Sequence, residues 1–171
     1  SATGVAISSA NERRGFFTSS DVRLNRLHEN VVWSIHDNMV SVPTDCPQRD
    51  ERLGWTGDAQ AFIYAANTLV NENAFFRSWL KDLALEQHDS GKVPHVVPDV
   101  LELQYPRLPH GNPFPDNGAA GWGDAAVVIP WAQYQSFGDV EILRNQLHSM
   151  RGWVDFFSAQ CVDNVFADGQ M

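Results

Sequence analysis

Five successive stretches of this chain read as helical, four of them with apolar residues recurring at steps of three and four, and strict alternation never persists for more than a few residues. That spacing buries one face of a helix, whereas a half-buried strand needs alternation. The fold class implied is all-α. The first stretch runs from Asp21 to about Val40, with Leu24, Leu27, Val31, Ile35 and Met39 on one face and Ser20 as the expected N-cap. A second starts near Thr56 and carries Ala59, Phe62, Ile63, Ala66, Leu69 and Val70. A third spans about Asn73 to His88, with Phe76, Trp79, Leu80 and Leu83 inward. The fourth, Asp124 to Phe137, contains Pro130, where a kink is expected, and Gly138 is its stop. The fifth, about Val140 to Gln160, shows Leu143, Leu147, Met150, Val154 and Phe157. Joined alternately by short turns and long loops, these stretches read as helical hairpins packed side by side.

Two stretches break the pattern. Residues 1–19 are small and polar and read as a linker or the tail of a preceding domain, leaving residues 20–171 as the folded unit. Residues 89–121 hold Pro94, Pro98, Pro106, Pro109, Pro113 and Pro115. They are too proline-rich for helix and too long for an idle connection, so a functional loop is expected there.

The 171 residues, 43% hydrophobic and 11% aromatic, suffice for one domain with a real core. The net charge of −9, with Lys81 and Lys92 as the only lysines, makes nucleic acid and anionic membrane poor partners. No apolar run is long enough to span a bilayer. Cys46 and Cys161 read as free thiols, and the acidic neighbours of Cys46 should raise its pKa. There is no metal-ligand spacing, phosphate-binding glycine loop or nucleophile elbow, so no metal or cofactor is expected.

The densest chemistry lies in Asp45 to Asp58, DCPQRDERLGWTGD, with Asp37 just upstream. Carboxylates and guanidinium groups exchange hydrogen bonds with hydroxyls, and an indole offers a platform for the C–H face of a sugar ring. A carbohydrate-processing site is the first expectation. Glu51 is the candidate proton donor: Asp45, Asp50 and Asp58 would raise its pKa, whereas Arg49 and Arg52 would lower it. The competing reading is a surface loop of mutually neutralising ion pairs. Arg49 could hold vicinal hydroxyls or a carboxylate. Trp55, among Gly54, Thr56 and Gly57, either stacks on a ligand or plugs a helix start. Trp122, in Gly121-Trp122-Gly123-Asp124, repeats the grouping of Trp, Gly and Asp as a second Trp-plus-carboxylate station. Trp33, Trp79 and Trp153 fall on helical stripes and are expected in the core, while Trp131 fits either place. His95 and His110 could contact a ligand, although a lone loop histidine is more often solvated.

The stretch DCPQRDERLGWTGDAQ, Asp45 to Gln60, resembles the signature of the inverting α-L-rhamnosidases, family 78 of the glycoside hydrolases. Ser20-Asp21 with LNRLHENVVWS upstream, and Trp122-Gly-Asp-Ala-Ala with IPW downstream, are similar to that family too. The resemblance covers about residues 15 to 165. It implies an (α/α)6 barrel of six helical hairpins that hydrolyses terminal α-L-rhamnosyl units from glycosides or polysaccharides with inversion. By resemblance Glu51 matches the general acid. Asp45, Arg49 and Asp58 match residues that hold the rhamnose hydroxyls, and Trp55 and Trp122 match aromatic pocket walls.

No segment here matches the catalytic base, a Glu from a later part of the family's barrel. The resemblance therefore implies the N-terminal part of a catalytic domain, inactive by itself. Its uncovered helix faces, along Leu24, Ile35 and Leu147, would be open to self-association. Two other classes fit the residues: a non-catalytic helical sugar-binding or scaffold module, and a hydrolase of the same barrel class acting on another sugar.

Overall fold

The computed structural model describes residues 1–9, 12–101, 118–163 and 165–166. His110, Pro106, Pro109, Pro113 and Pro115 of the proline-rich loop lie outside the described residues. Among the described residues five helices form the framework: α1 (Val22–Asn38), α2 (Thr56–Leu69), α3 (Asn73–Glu86), α4 (Ala125–Phe137) and α5 (Val140–Ser158). Two antiparallel ladders of two-residue strands accompany them, one between α1 and α2 and one after α5. β1 (Met39–Val40) pairs with β2 (Val42–Pro43), and β3 (Cys161–Val162) pairs with β4 (Val165–Phe166).

Helices α2 to α5 pack around Ile63, Phe76, Trp79, Leu80, Leu83 and Ile129, all buried. Burying one such side chain contributes roughly 1.5–3 kcal/mol, so this cluster dominates the stability. Alanines at 125, 126 and 132 let α4 approach its neighbours closely, and Pro130 is buried within it. Gly138 ends α4 in the left-handed conformation, φ 69°, the stop expected after Phe137. Helices α2 and α4 run parallel. Gln60 bonds the carbonyl of Gly121, Tyr64 the side chain of Gln135, and Asn67 that of Ser136. Both helices therefore begin at the same end of the molecule.

Four expectations need correction. Asp21, not Ser20, caps α1: its carboxylate accepts from the backbone N–H of Arg23 at 2.8 Å, where a negative charge also suits the helix dipole. Trp33 is 57% exposed, because the buried side of α1 is set by Val32, Ile35 and Met39. Leu27 is exposed as well, and Leu24 is exposed as expected of an uncovered face. Ile35, expected on an uncovered face, is buried, while Leu147 is exposed as expected. In α5 the buried face is offset from the apolar stripe: Ile142, Gln146, Ser149 and Trp153 point inward, Leu143 and Phe157 pack half-buried against the core, and Leu147 and Val154 are exposed. Small and polar residues win there because α5 lies close to the loop after α3. Gln87 donates to the Ser149 carbonyl, and the Cα of Gly91 lies 3.8 Å from where a Cβ on Gly152 would sit.

The polar lead-in lies against the helix ends. Ser9 N–H donates to Met39, Arg14 and Gly15 N–H to Leu69, and Asn71 N–H to Glu12. Arg13 pairs with Glu29 of α1 at 2.6 Å.

Candidate active site

The motif loop leaves β2 and closes on itself before α2. Asp45 N–H donates to the Leu53 carbonyl, and Leu53 N–H donates back to the Asp45 carboxylate at 3.1 Å. That exchange explains why the Asp45 side chain is only 4% exposed in a loop that is otherwise open. Cys46 beside it is buried, and burial, ahead of its contacts with Asp45, pushes its thiol pKa up. It is a packing residue, as its neighbours predict.

A second segment clamps the start of α2. Thr56 N–H and Oγ1 both donate to the His95 carbonyl, at 2.9 and 3.0 Å, and Val97 N–H donates to Gly54 at 2.9 Å. Trp79 Nε1 donates to the Val97 carbonyl from the core. The described flank of the proline-rich loop thus fixes the motif loop from behind, with Val93, Val96 and Val97 fully buried.

On this scaffold the charged groups face outward. Arg49 is the hub: its Nε lies 2.7 Å from Glu51 and its Nη2 3.7 Å from Asp45. Arg49 and Glu51 are both a little over half exposed. The nearest partner of Glu51 is therefore a guanidinium rather than another carboxylate, the ion pair of the competing reading. Asp58, in the first turn of α2, has its pKa raised by partial burial and then by the charges of Asp45 and Glu51, against the opposing pull of Arg49. Asp45, Arg49, Glu51 and Asp58 thus share one electrostatic neighbourhood. Asp45 and Asp58 also line a groove of about 390 Å³ that runs past Ile35, Met39, Ala59 and Phe62.

Two indoles adjoin this cluster at the head of α2. Trp55 Nε1 donates to the Glu51 carbonyl at 3.2 Å, which holds the ring against the loop. Trp122 is 40% exposed and rests on Gly57, where a Cβ would lie 3.1 Å from its ring. Positions 55 and 122, far apart in sequence, are thus joined through two residues at the head of α2. Asp124 does not complete a second ligand station. Its two oxygens accept from Gly121 N–H and Trp153 Nε1, each at 3.0 Å, so the carboxylate serves the fold.

His95 departs from the loop-histidine expectation: it is buried, and its ring meets Trp122 at 5.7 Å between centroids and 68° between planes. Burial lowers its pKa, with Asp99 pulling weakly the other way. Nothing in the sequence signals this contact beyond the apolar valines around position 95. Gln60, three residues after Gly57 on the same helical side, tethers Gly121, and no local spacing marks it for that role.

Known proteins carry the same framework. Residues 12–170 match the family model described as the bacterial alpha-L-rhamnosidase 6 hairpin glycosidase domain. An alpha-L-rhamnosidase of Formosa agariphila is 42% identical over an alignment covering 96% of this chain and 17% of the relative. The crystal structure of Streptomyces avermitilis alpha-L-rhamnosidase complexed with L-rhamnose superposes with a TM-score of 0.78 at 37% identity, covering 91% of this chain and 14% of that one. The native enzyme from Aspergillus terreus gives 0.75 at 44% identity, covering 86% and 16%. The chain thus spans 17% or less of the length of these proteins. The helical hairpins described above are part of the (α/α)6 architecture that these matches share. By sequence and by fold, the chain belongs to the bacterial α-L-rhamnosidase six-hairpin glycosidase family.

Proposed function

We propose that the polypeptide containing these residues hydrolyses terminal α-L-rhamnosyl units of glycosides or polysaccharides with inversion, and that Glu51 is its general acid. The observation that carries the reading is the convergence of Glu51, Arg49, Asp45 and Asp58 with two half-open indoles at the head of α2. Asp45, Arg49 and Asp58 hold sugar hydroxyls, and Trp55 and Trp122 cover the ring's C–H faces. Residues 20–171 are the N-terminal part of the catalytic domain.

Arg49 must do two things in turn. It neutralises Glu51 through their ion pair, and a sugar whose hydroxyls take its N–H groups draws it away. Glu51 is then freed of its ion pair to meet the glycosidic oxygen. The protonated carboxyl delivers its proton to the departing glycosidic oxygen as the C–O bond breaks. Inversion requires a second carboxyl about 6.5–9.5 Å away, which activates water on the opposite face of the sugar. That base comes from outside residues 1–171, so these residues alone do not turn over.

A panel of aryl glycosides tests the reading. The complete polypeptide should release aglycone from the α-L-rhamnoside in preference to other sugars, and the first product seen by NMR should be the β-anomer. Hydrolysis of a different sugar, or an α-anomer first, would overturn it. The Arg49–Glu51 pair also suits a non-catalytic sugar-binding module. Saturable rhamnose binding, lost in Arg49→Ala and unaccompanied by hydrolysis, would favour that second reading.

A further inference from the structure

We propose that His95 is a positioning residue for the sugar platform: its buried ring fixes the angle at which the Trp122 indole faces the ligand. The inference rests on the rhamnoside-pocket reading above and assigns a role to a residue outside the motif loop.

The turn that carries Trp122 is fixed through its backbone. Gln60 holds the Gly121 carbonyl, and Asp124 holds Gly121 N–H while itself held by Trp153. These contacts place the Cα of residue 122 but leave the two side-chain torsions of the indole undetermined. Gly57 supplies a floor beneath the ring, with no side chain to steer it. The lateral stop is His95, whose ring stands at 68° to the indole with centroids 5.7 Å apart, within the range of a favourable edge-to-face pair.

His95 can act as a stop because it is itself enclosed and tied at its backbone. It is 4% exposed, and Val93, Val96 and Val97 around it are fully buried. Its carbonyl takes both hydrogen bonds from Thr56, so its backbone moves only with the head of α2. Burial lowers the ring's pKa, against the opposing pull of Asp99.

A sugar gains from an indole only when the ring lies parallel to its C–H face. An indole that must first be ordered loses part of that gain as conformational entropy. The stacking contact is present in ground state and transition state alike, so its loss raises KM rather than lowering kcat.

The test compares His95→Leu, which removes the aromatic edge, with His95→Phe, which keeps it, in the complete polypeptide containing these residues. His95→Gln serves as the ring-free replacement if the leucine variant does not fold. The ring-free variant should raise KM for an aryl α-L-rhamnoside about five- to tenfold, with kcat within about twofold. It should also move or broaden the Trp122 indole N–H resonance, assigned by its absence in Trp122→Phe. His95→Phe should restore both. Unchanged KM, or an unmoved Trp122 resonance, overturns the inference while leaving the rhamnosidase reading standing. A wild-type polypeptide that hydrolyses no rhamnoside overturns that reading and this inference with it.

Discussion

The heads of α2 and α4 are written alike, Trp55-Thr-Gly-Asp58 and Trp122-Gly-Asp124, and the fold uses their carboxylates in opposite ways. Asp124 is consumed internally, with one oxygen on Gly121 N–H and the other on Trp153 Nε1. Asp58 is left on the surface, partly desolvated and pressed by the charges of Asp45 and Glu51. A carboxylate satisfied by its own protein has little left to offer a ligand, whereas one kept in an unfavourable setting stores capacity for binding or proton transfer. Spacing to Trp does not separate the two; hydrogen-bond accounting does.

The glycines before these acids give the sharpest contrast. In Gly123→Ala the new Cβ would lie 2.3 Å from the buried ring of Trp153, which has nowhere to go. A loss of about 3 kcal/mol is expected in denaturant unfolding, in line with other overpacked cores. In Gly57→Ala the new methyl meets Trp122 at 3.1 Å, a half-open ring that can yield. Stability should then stay within about 0.5 kcal/mol, while sugar affinity falls as the indole shifts. Equal destabilisation by both substitutions would erase the proposed difference between the corners.

Next in size, Asp124→Ala strands the N–H of Trp153, a residue only 3% exposed, and should cost about 2 kcal/mol. The matching substitution at the other corner should have the opposite sign. The folded state raises the Asp58 pKa above its ordinary 3.8. Between those two values the folded state binds more protons than the unfolded chain, so stability falls as pH rises through the window and stays lowered at neutral pH. Asp58→Asn should therefore raise the melting temperature slightly at pH 7, with the gain gone below pH 3.8, and should weaken rhamnose binding. A lower melting temperature at pH 7 would mean that Asp58 supports the fold after all.

The same accounting shows what the sequence could tell. Helices α2 and α3 were legible because large apolar side chains such as Ile63, Phe76 and Trp79 all take the inner face. The phase of α5 was not, since close approach to the loop after α3 favours Gln146, Ser149 and Gly152 over the leucine stripe beside them. At the site, the dense charge of Asp45 to Asp58 and the odd grouping at Trp122 were both visible. Their meeting across Gly57 was not, because a contact between distant residues leaves no local spacing. The burial of His95 was hidden for a similar reason: what surrounds it arrives from α2 and from the turn before α4.

The most direct measurement concerns the proton from Glu51. Glu51→Gln, which removes the proton while keeping the shape, should be assayed in the complete polypeptide on two α-L-rhamnosides, one with a poor leaving group such as methanol and one with an acidic dinitrophenol. A general acid matters only where the departing oxygen needs a proton. The variant should therefore lose about a hundredfold to ten-thousandfold on the first substrate and nearly nothing on the second. Equal losses on both substrates, or near-wild-type turnover of the methyl rhamnoside, would contradict the assignment of Glu51 as the acid.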